Sequence, residues 1–143
     1  MEVKVILLDT DFAFEYFSGN ESALAVINVH RSDFIALPSV VMAQIIRACR
    51  DKRDLAKAIK MAANIPIVHI NESISEKSLN IIKNHYLSNN AEIYDSIIAA
   101  TAIHYSIHLA TCNTKDFGYI PGLKLLEHSV TPKRRGGGLF GMF

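Results

Sequence analysis

The chain has no tryptophan, only two cysteines and four prolines in 143 residues, and its acidic and basic side chains nearly cancel. Each scarcity excludes something. Cys49 and Cys112 are isolated, with no C-x-x-C pair, so neither a disulfide framework nor a thiolate metal motif is present. They read as small core hydrophobes in a reducing compartment. A formal net charge of +1 rules out a globally cationic nucleic-acid coat, and any such contact must come from a local patch. No uninterrupted apolar run approaches the ~18 residues that span a bilayer. The opening MEVKVILLDTDF lacks the long apolar core of a signal peptide. The expectation is a soluble, cytoplasmic protein with no membrane role.

What is present is core-forming material. Half the residues are hydrophobic and 20% are charged, the balance of a packed globular chain and not of a disordered one. The length suits one domain with one substantial core. Five short β-rich runs are strand candidates: Val3 to Leu8, Phe34 to Leu37, Ile65 to Ile70, Ile107 to Thr111 and Leu123 to Leu126. Between them, helical spacing runs through Ser22 to Arg31, Ser39 to Arg50, Leu55 to Ala63, Glu72 to Leu87 and Ile93 to Tyr105. Ser39 after Pro38 and Asn71 before Glu72 are candidate N-caps. This alternation predicts an α/β fold of three layers, α/β/α, around a mainly parallel sheet of about five short strands. In such sheets the ligand crevice lies beyond the carboxyl ends of the strands, near the point where strand order reverses. Asp9 and Asp11 follow the first strand, Asn113 and Asp116 follow IHLAT, and Asp95 opens the helix before it.

Three acidic segments far apart in sequence are thereby assigned to one rim. Two carboxylates ~4 Å apart repel by about 4 kcal/mol at an effective dielectric of ~20, so a cation or protons must offset the charge. Mg²⁺ or Mn²⁺ suits such a site, because it takes carboxylate oxygens and keeps waters. A pair of acids after a strand also serves as a turn or helix cap, and "DTD" alone does not separate these readings.

Three segments, "ILLDTDF", "LPSVVMAQIIRA" and "IYDSIIAATAIHYSIHLATCNTKDFGYIPGLKLL", resemble in order the PIN-domain ribonucleases, in particular the toxin subunits of VapBC-type toxin–antitoxin modules. The likeness spans roughly Val3 to Leu126. Position by position, the resemblance implies that the family's principal acids fall on Asp9, Asp95 and Asp116, which would hold the metal. Thr10, Asp11, Thr111 and Asn113 fall on supporting polar positions, Asp11 where the family often has Asn. Gln44 stands where the family places a Glu ligand. A glutamine offers a neutral carbonyl oxygen but neither negative charge nor a base. Three explanations stand side by side: an engineered inactivating change, a natural variant of reduced activity, and a domain that binds RNA or protein without cutting. The resemblance further implies metal-dependent hydrolysis of RNA, a homodimer, and a cognate antitoxin whose C-terminal segment covers the acidic groove.

Other features compete. "DTD" after a strand also resembles the opening of haloacid-dehalogenase-type phosphatases, but Ala13 replaces their preferred Thr or Val and no late G-D-x-x-x-D-type motif appears. His104 and His108 are four apart across a helix-to-strand transition, without the Glu of an H-E-x-x-H motif, and read as structural. Arg47, Arg50, Arg53, Lys57 and Lys60 recur at helical steps, a solvated face or a phosphate track for RNA, with Arg47 and Arg50 the nearest to Gln44. The composition breaks near Pro132, dividing a PIN-like domain (1–131) from a basic, glycine-rich and apolar tail (132–143).

Overall fold

The structure, a computed structural model, describes residues 5–29 and 34–132. The tail from Lys133, like Val3 and Arg31, lies outside the described residues.

The chain alternates β1 (Val5–Leu8), α1 (Thr10–Phe17), α2 (Glu21–Val29), β2 (Phe34–Pro38), α3 (Ser39–Arg47), α4 (Lys52–Ala62), β3 (Ile67–Val68), α5 (Glu72–Asn89), α6 (Ile93–Tyr105), β4 (His108–Ala110), a 3₁₀ turn (Thr114–Asp116) and β5 (Lys124–Leu125). All five strands are parallel, in the order β3-β2-β1-β4-β5. The sheet is therefore wholly parallel, where the sequence led us to expect a mainly parallel one. Parallel sheets are covered on both faces, so their central strands read as continuous apolar runs. Ile6, Leu7 and Leu8 in β1 and Leu109 and Ala110 in β4 obey this, each without exposed surface.

Growth from β1 to β2 to β3 runs one way, and the chain then crosses back to β4 on the other side of β1. With right-handed crossovers, α1 to α4 lie on one face and α5 and α6 on the other. The packing agrees: α1 sits against α2 and α3, and α5 against α6. The reversal of direction falls between β1 and β4. Any ligand crevice is thus expected where these two strands end.

Several boundaries move. α3 begins at Ser39 itself, with Pro38 in the cap position and no side-chain cap bond, so Ser39 is the first helical residue and not the cap. Asn71 does cap α5, its side chain accepting from the Ile74 N–H at 2.8 Å. The run Ile65 to Ile70 contributes only Ile67 and Val68 to the ladder, and Leu123 to Leu126 only Lys124 and Leu125. Pro66 cannot donate, but its carbonyl accepts from the Leu37 N–H. Helix α1 was not expected at all.

Candidate active site

The site begins where β1 stops. The Asp9 N–H still donates to the Ala110 carbonyl at 2.9 Å, so the sheet extends one residue past β1 and sets Asp9 beside the end of β4. Asp9 is only 6% exposed. Thr111, directly after β4 and fully buried, donates its hydroxyl to Asp9 Oδ2 at 2.7 Å. Its Oγ1 in turn accepts from the Asn113 N–H at 3.1 Å. Asp11, in the first turn of α1, accepts from the Phe12 N–H at 2.6 Å and the Cys112 N–H at 3.1 Å, tying α1 to the same segment. Asn113 donates its side-chain amide to Asp116 Oδ2 at 2.6 Å, which fixes that carboxylate on the 3₁₀ turn.

Asp95 arrives from the other face of the sheet, in the first turn of α6. Asp9, Thr10, Asp11, Phe14, Gln44, Glu92, Tyr94, Asp95, Ile98, Asn113 and Asp116 line one open cleft of about 330 Å³. No lysine, arginine or histidine is among them. A polar bay of about 320 Å³, walled by Asn89, Asn90 and Tyr119, adjoins it and shares Glu92, Asp95 and Asp116.

The electrostatics show what this crowding costs. Burial, then the Asp11 charge and more weakly Asp95, pushes Asp9 up to about 7, against the hydrogen bonds from Thr111 and the Thr10 N–H. Burial followed by Glu92, Asp116 and Asp11 raises Asp95 to about 6. Burial, then the charges of Asp11, Glu15 and Asp9, push the thiol of the half-buried Cys112 up to about 12, which keeps it protonated and unreactive.

A set of carboxylates with no side-chain cation among the described residues that line the cleft has the chemistry of a hard divalent site. The carboxylates face one another across the cleft without closing into a ligand sphere: among the described residues no three His, Cys, Asp or Glu side chains stand close enough to hold an ion as they are.

Every acid expected at the site is therefore brought to one cleft, with Gln44 and Thr10, while Thr111 acts from behind as the donor to Asp9. Arg47 and Arg50 do not line it, and Arg50 donates to Asp54 Oδ2 at 3.0 Å. His104 and His108 belong to different elements, α6 and β4, and His104 instead meets Asn71 at 3.5 Å. Glu92, Phe14 and Tyr94 were missed. For Glu92 the signal was present: it stands three residues before Asp95, a spacing that puts both on one side of a helix start.

Fold and site together define a parallel α/β domain with an acidic cleft at its strand-order reversal. The model of the PIN domain matches residues 6–123, and the chain belongs to this family. Among solved structures it resembles a toxin–antitoxin complex from Klebsiella pneumoniae (24% identity, TM-score 0.72, covering 86% of this chain and 98% of that one). It also resembles VapBC2 from Rickettsia felis bound to a promoter DNA fragment (19%, 0.72, 85% and 96%) and FitAcB from Neisseria gonorrhoeae (19%, 0.67, 85% and 96%). At these identities the likeness is one of fold. The search of curated proteins found no match.

Proposed function

We propose that this chain is the toxin of a toxin–antitoxin module, with a metal-dependent endoribonuclease site that Gln44 impairs. The observation that carries this reading is the convergence of Asp9, Asp11, Asp95 and Asp116 with Gln44 in one cleft at the reversal between β1 and β4. Membership of the PIN family supports nuclease chemistry, and the neighbouring structures, which are toxin–antitoxin complexes, support an antitoxin partner.

In this reading Asp9, Asp95 and Asp116 hold Mg²⁺ or Mn²⁺, which when bound makes water a better nucleophile and offsets charge building on the phosphate. Thr111 aims Asp9, and Asn113 aims Asp116. Gln44 contributes an amide where a carboxylate would add charge, which weakens cation binding. Solvent-side placement of Arg47 and the pairing of Arg50 with Asp54 give neither a preformed phosphate contact at the cleft, so RNA contact by these two is confined to its approaches. The protein acts in the cytoplasm as a homodimer; among the described residues no helix is long and apolar enough to cross a membrane.

A non-catalytic PIN domain that binds RNA or protein is the second reading, and Gln44 is the residue that favours it. The two are separated by titrating Mn²⁺ calorimetrically into the protein and its Gln44→Glu variant, with cleavage of a structured RNA on the same samples. The nuclease reading expects the Glu form to bind Mn²⁺ at least tenfold tighter and to cut. If neither form binds or cuts, the acidic cleft is a docking surface. Turnover of a small phosphoester in place of RNA would bring back the phosphatase reading.

A further inference from the structure

His128 lies outside the cleft, beyond β5, in a segment that the motifs leave unexplained. That segment runs on beside β4: the Leu126 N–H donates to the Leu109 carbonyl at 2.8 Å, and Leu126 and Val130 are buried in the core. Between them His128 makes three contacts. Its Nε2 lies 2.7 Å from the Thr111 carbonyl oxygen, its Nδ1 lies 3.0 Å from the Val130 amide nitrogen, and its ring meets Phe12 edge-on with centroids 5.1 Å apart.

These partners fix the proton. A carbonyl oxygen only accepts, so Nε2 must carry a hydrogen, and a backbone N–H only donates, so Nδ1 must present its lone pair. The ring is the neutral Nε2–H tautomer, donating to Thr111 while being held by Val130. Two of its three neighbours, Thr111 and Phe12, stand at the roots of the cleft. Thr111 supplies the hydroxyl that binds Asp9 and takes the Asn113 N–H, and Phe12 follows Asp11 in the first turn of α1. One imidazole thus braces both backbone segments from which Asp9, Asp11 and Asn113 project.

We propose that His128 is a positioning residue of the acidic cleft, the backing that holds Thr111 so that its hydroxyl meets Asp9 and its neighbour Asn113 meets Asp116. Outer contacts of this kind aim metal-binding carboxylates, and losing one typically costs 10- to 100-fold in metal affinity. The consequence for metal rests on the nuclease reading; the brace itself does not.

The test compares His128→Ala, His128→Asn and His128→Gln. Gln keeps a donor near the position of Nε2, whereas Asn keeps only a group near Nδ1. Amide hydrogen exchange is read at Cys112 and Asn113, whose N–H groups bond to Asp11 and Thr111, and at Leu7 and Leu109 in the central strands as the global reference. The brace predicts at least tenfold faster exchange at Cys112 and Asn113 in the Ala and Asn forms, little change at Leu7 and Leu109, and recovery in the Gln form. Mn²⁺ affinity, measured in the Gln44→Glu background, should follow the same order. Unchanged exchange at Cys112 and Asn113, or acceleration equal to that of the central strands, overturns the proposal and leaves His128 a packing residue. Local loss with Gln rescue, in a protein that binds no Mn²⁺ in any form, keeps the brace and removes the nuclease reading.

Discussion

At the scale of single residues, Asp9 sets the energetics of the cleft. It gives up solvent beside Asp11 and gains only the Thr111 hydroxyl and the Thr10 N–H in return. Its folded pKa, about 7, stands above the ordinary 3.8, so the folded protein binds this proton more readily than the unfolded chain does. The resulting penalty is absent below about pH 4, grows as pH rises through the carboxylate range, and is complete above about pH 7. Asp95, raised to about 6, adds in the same direction over a narrower window. In the presence of chelator the thermal midpoint should therefore fall between pH 4.5 and 7.5. Asp9→Asn should flatten that fall and raise the midpoint at pH 7.5 by roughly 5 °C, about 1 to 2 kcal/mol. A decline as steep in the variant as in the parent would place the cause elsewhere. The pairing of these acids was legible from sequence because each follows or opens a predicted element. Their raised pKa values were not, since burial and mutual distance depend on how β1 and β4 are juxtaposed.

At the scale of elements, the sequence was most readable where local chemistry and tertiary demand agree. Helix α5 is such a case: Asn71 caps its first turn, and Asn90 ends it at φ 53°, a left-handed conformation that asparagine tolerates better than most side chains. Helix α1 is the opposite case. Its sequence TDFAFEYF is rich in aromatic residues of modest helix propensity, and its N-cap residue is Asp9, which makes no side-chain cap bond. The carboxylate that would ordinarily announce the helix is turned toward Thr111 instead. With few strong helix formers and no cap bond from Asp9, α1 carries little local helix signal, and no element was expected between β1 and Ser22. The short strands were trimmed for a related reason: β3 lies at a sheet edge with one neighbour, and its apolar flanks Ile65 and Ile70 pack or face solvent without entering the ladder. The cap argument has a direct check. Asn71→Ala should lower the stability measured by urea unfolding by about 1 kcal/mol while leaving Mn²⁺ binding by the Gln44→Glu form unchanged. A loss of metal affinity would mean that α5 positions Asp95 through α6, against which it packs.

At the scale of the whole molecule, charge and apolar surface are divided unequally. The net charge is +1, yet five carboxylates, Asp9, Asp11, Glu92, Asp95 and Asp116, gather in one cleft at the carboxyl end of the sheet. A separate apolar groove of about 620 Å³ is lined by Val5, Ile67, Ile70 and Tyr105. Large hydrophobic side chains also stand in water beside the acids. Leu87 is 94% exposed and Ile93 63%, with Tyr86 and Tyr94 next to them at the corner where α5 turns into α6. Large apolar side chains left this exposed on neighbouring helix ends are candidates for a surface that becomes covered. None of this was visible from sequence, because helical periodicity gives a face and not its partner. The homodimer we propose is expected to cover this corner, with the acidic cleft left open at its border. The double variant Leu87→Asp, Ile93→Asp should then sediment as a monomer at concentrations where the parent is dimeric, with a weakening of self-association of at least tenfold and an unchanged thermal midpoint for the isolated fold. A variant that remains dimeric assigns the corner to a different partner, and the antitoxin, measured by its affinity for the same pair of proteins, is then the one to lose binding.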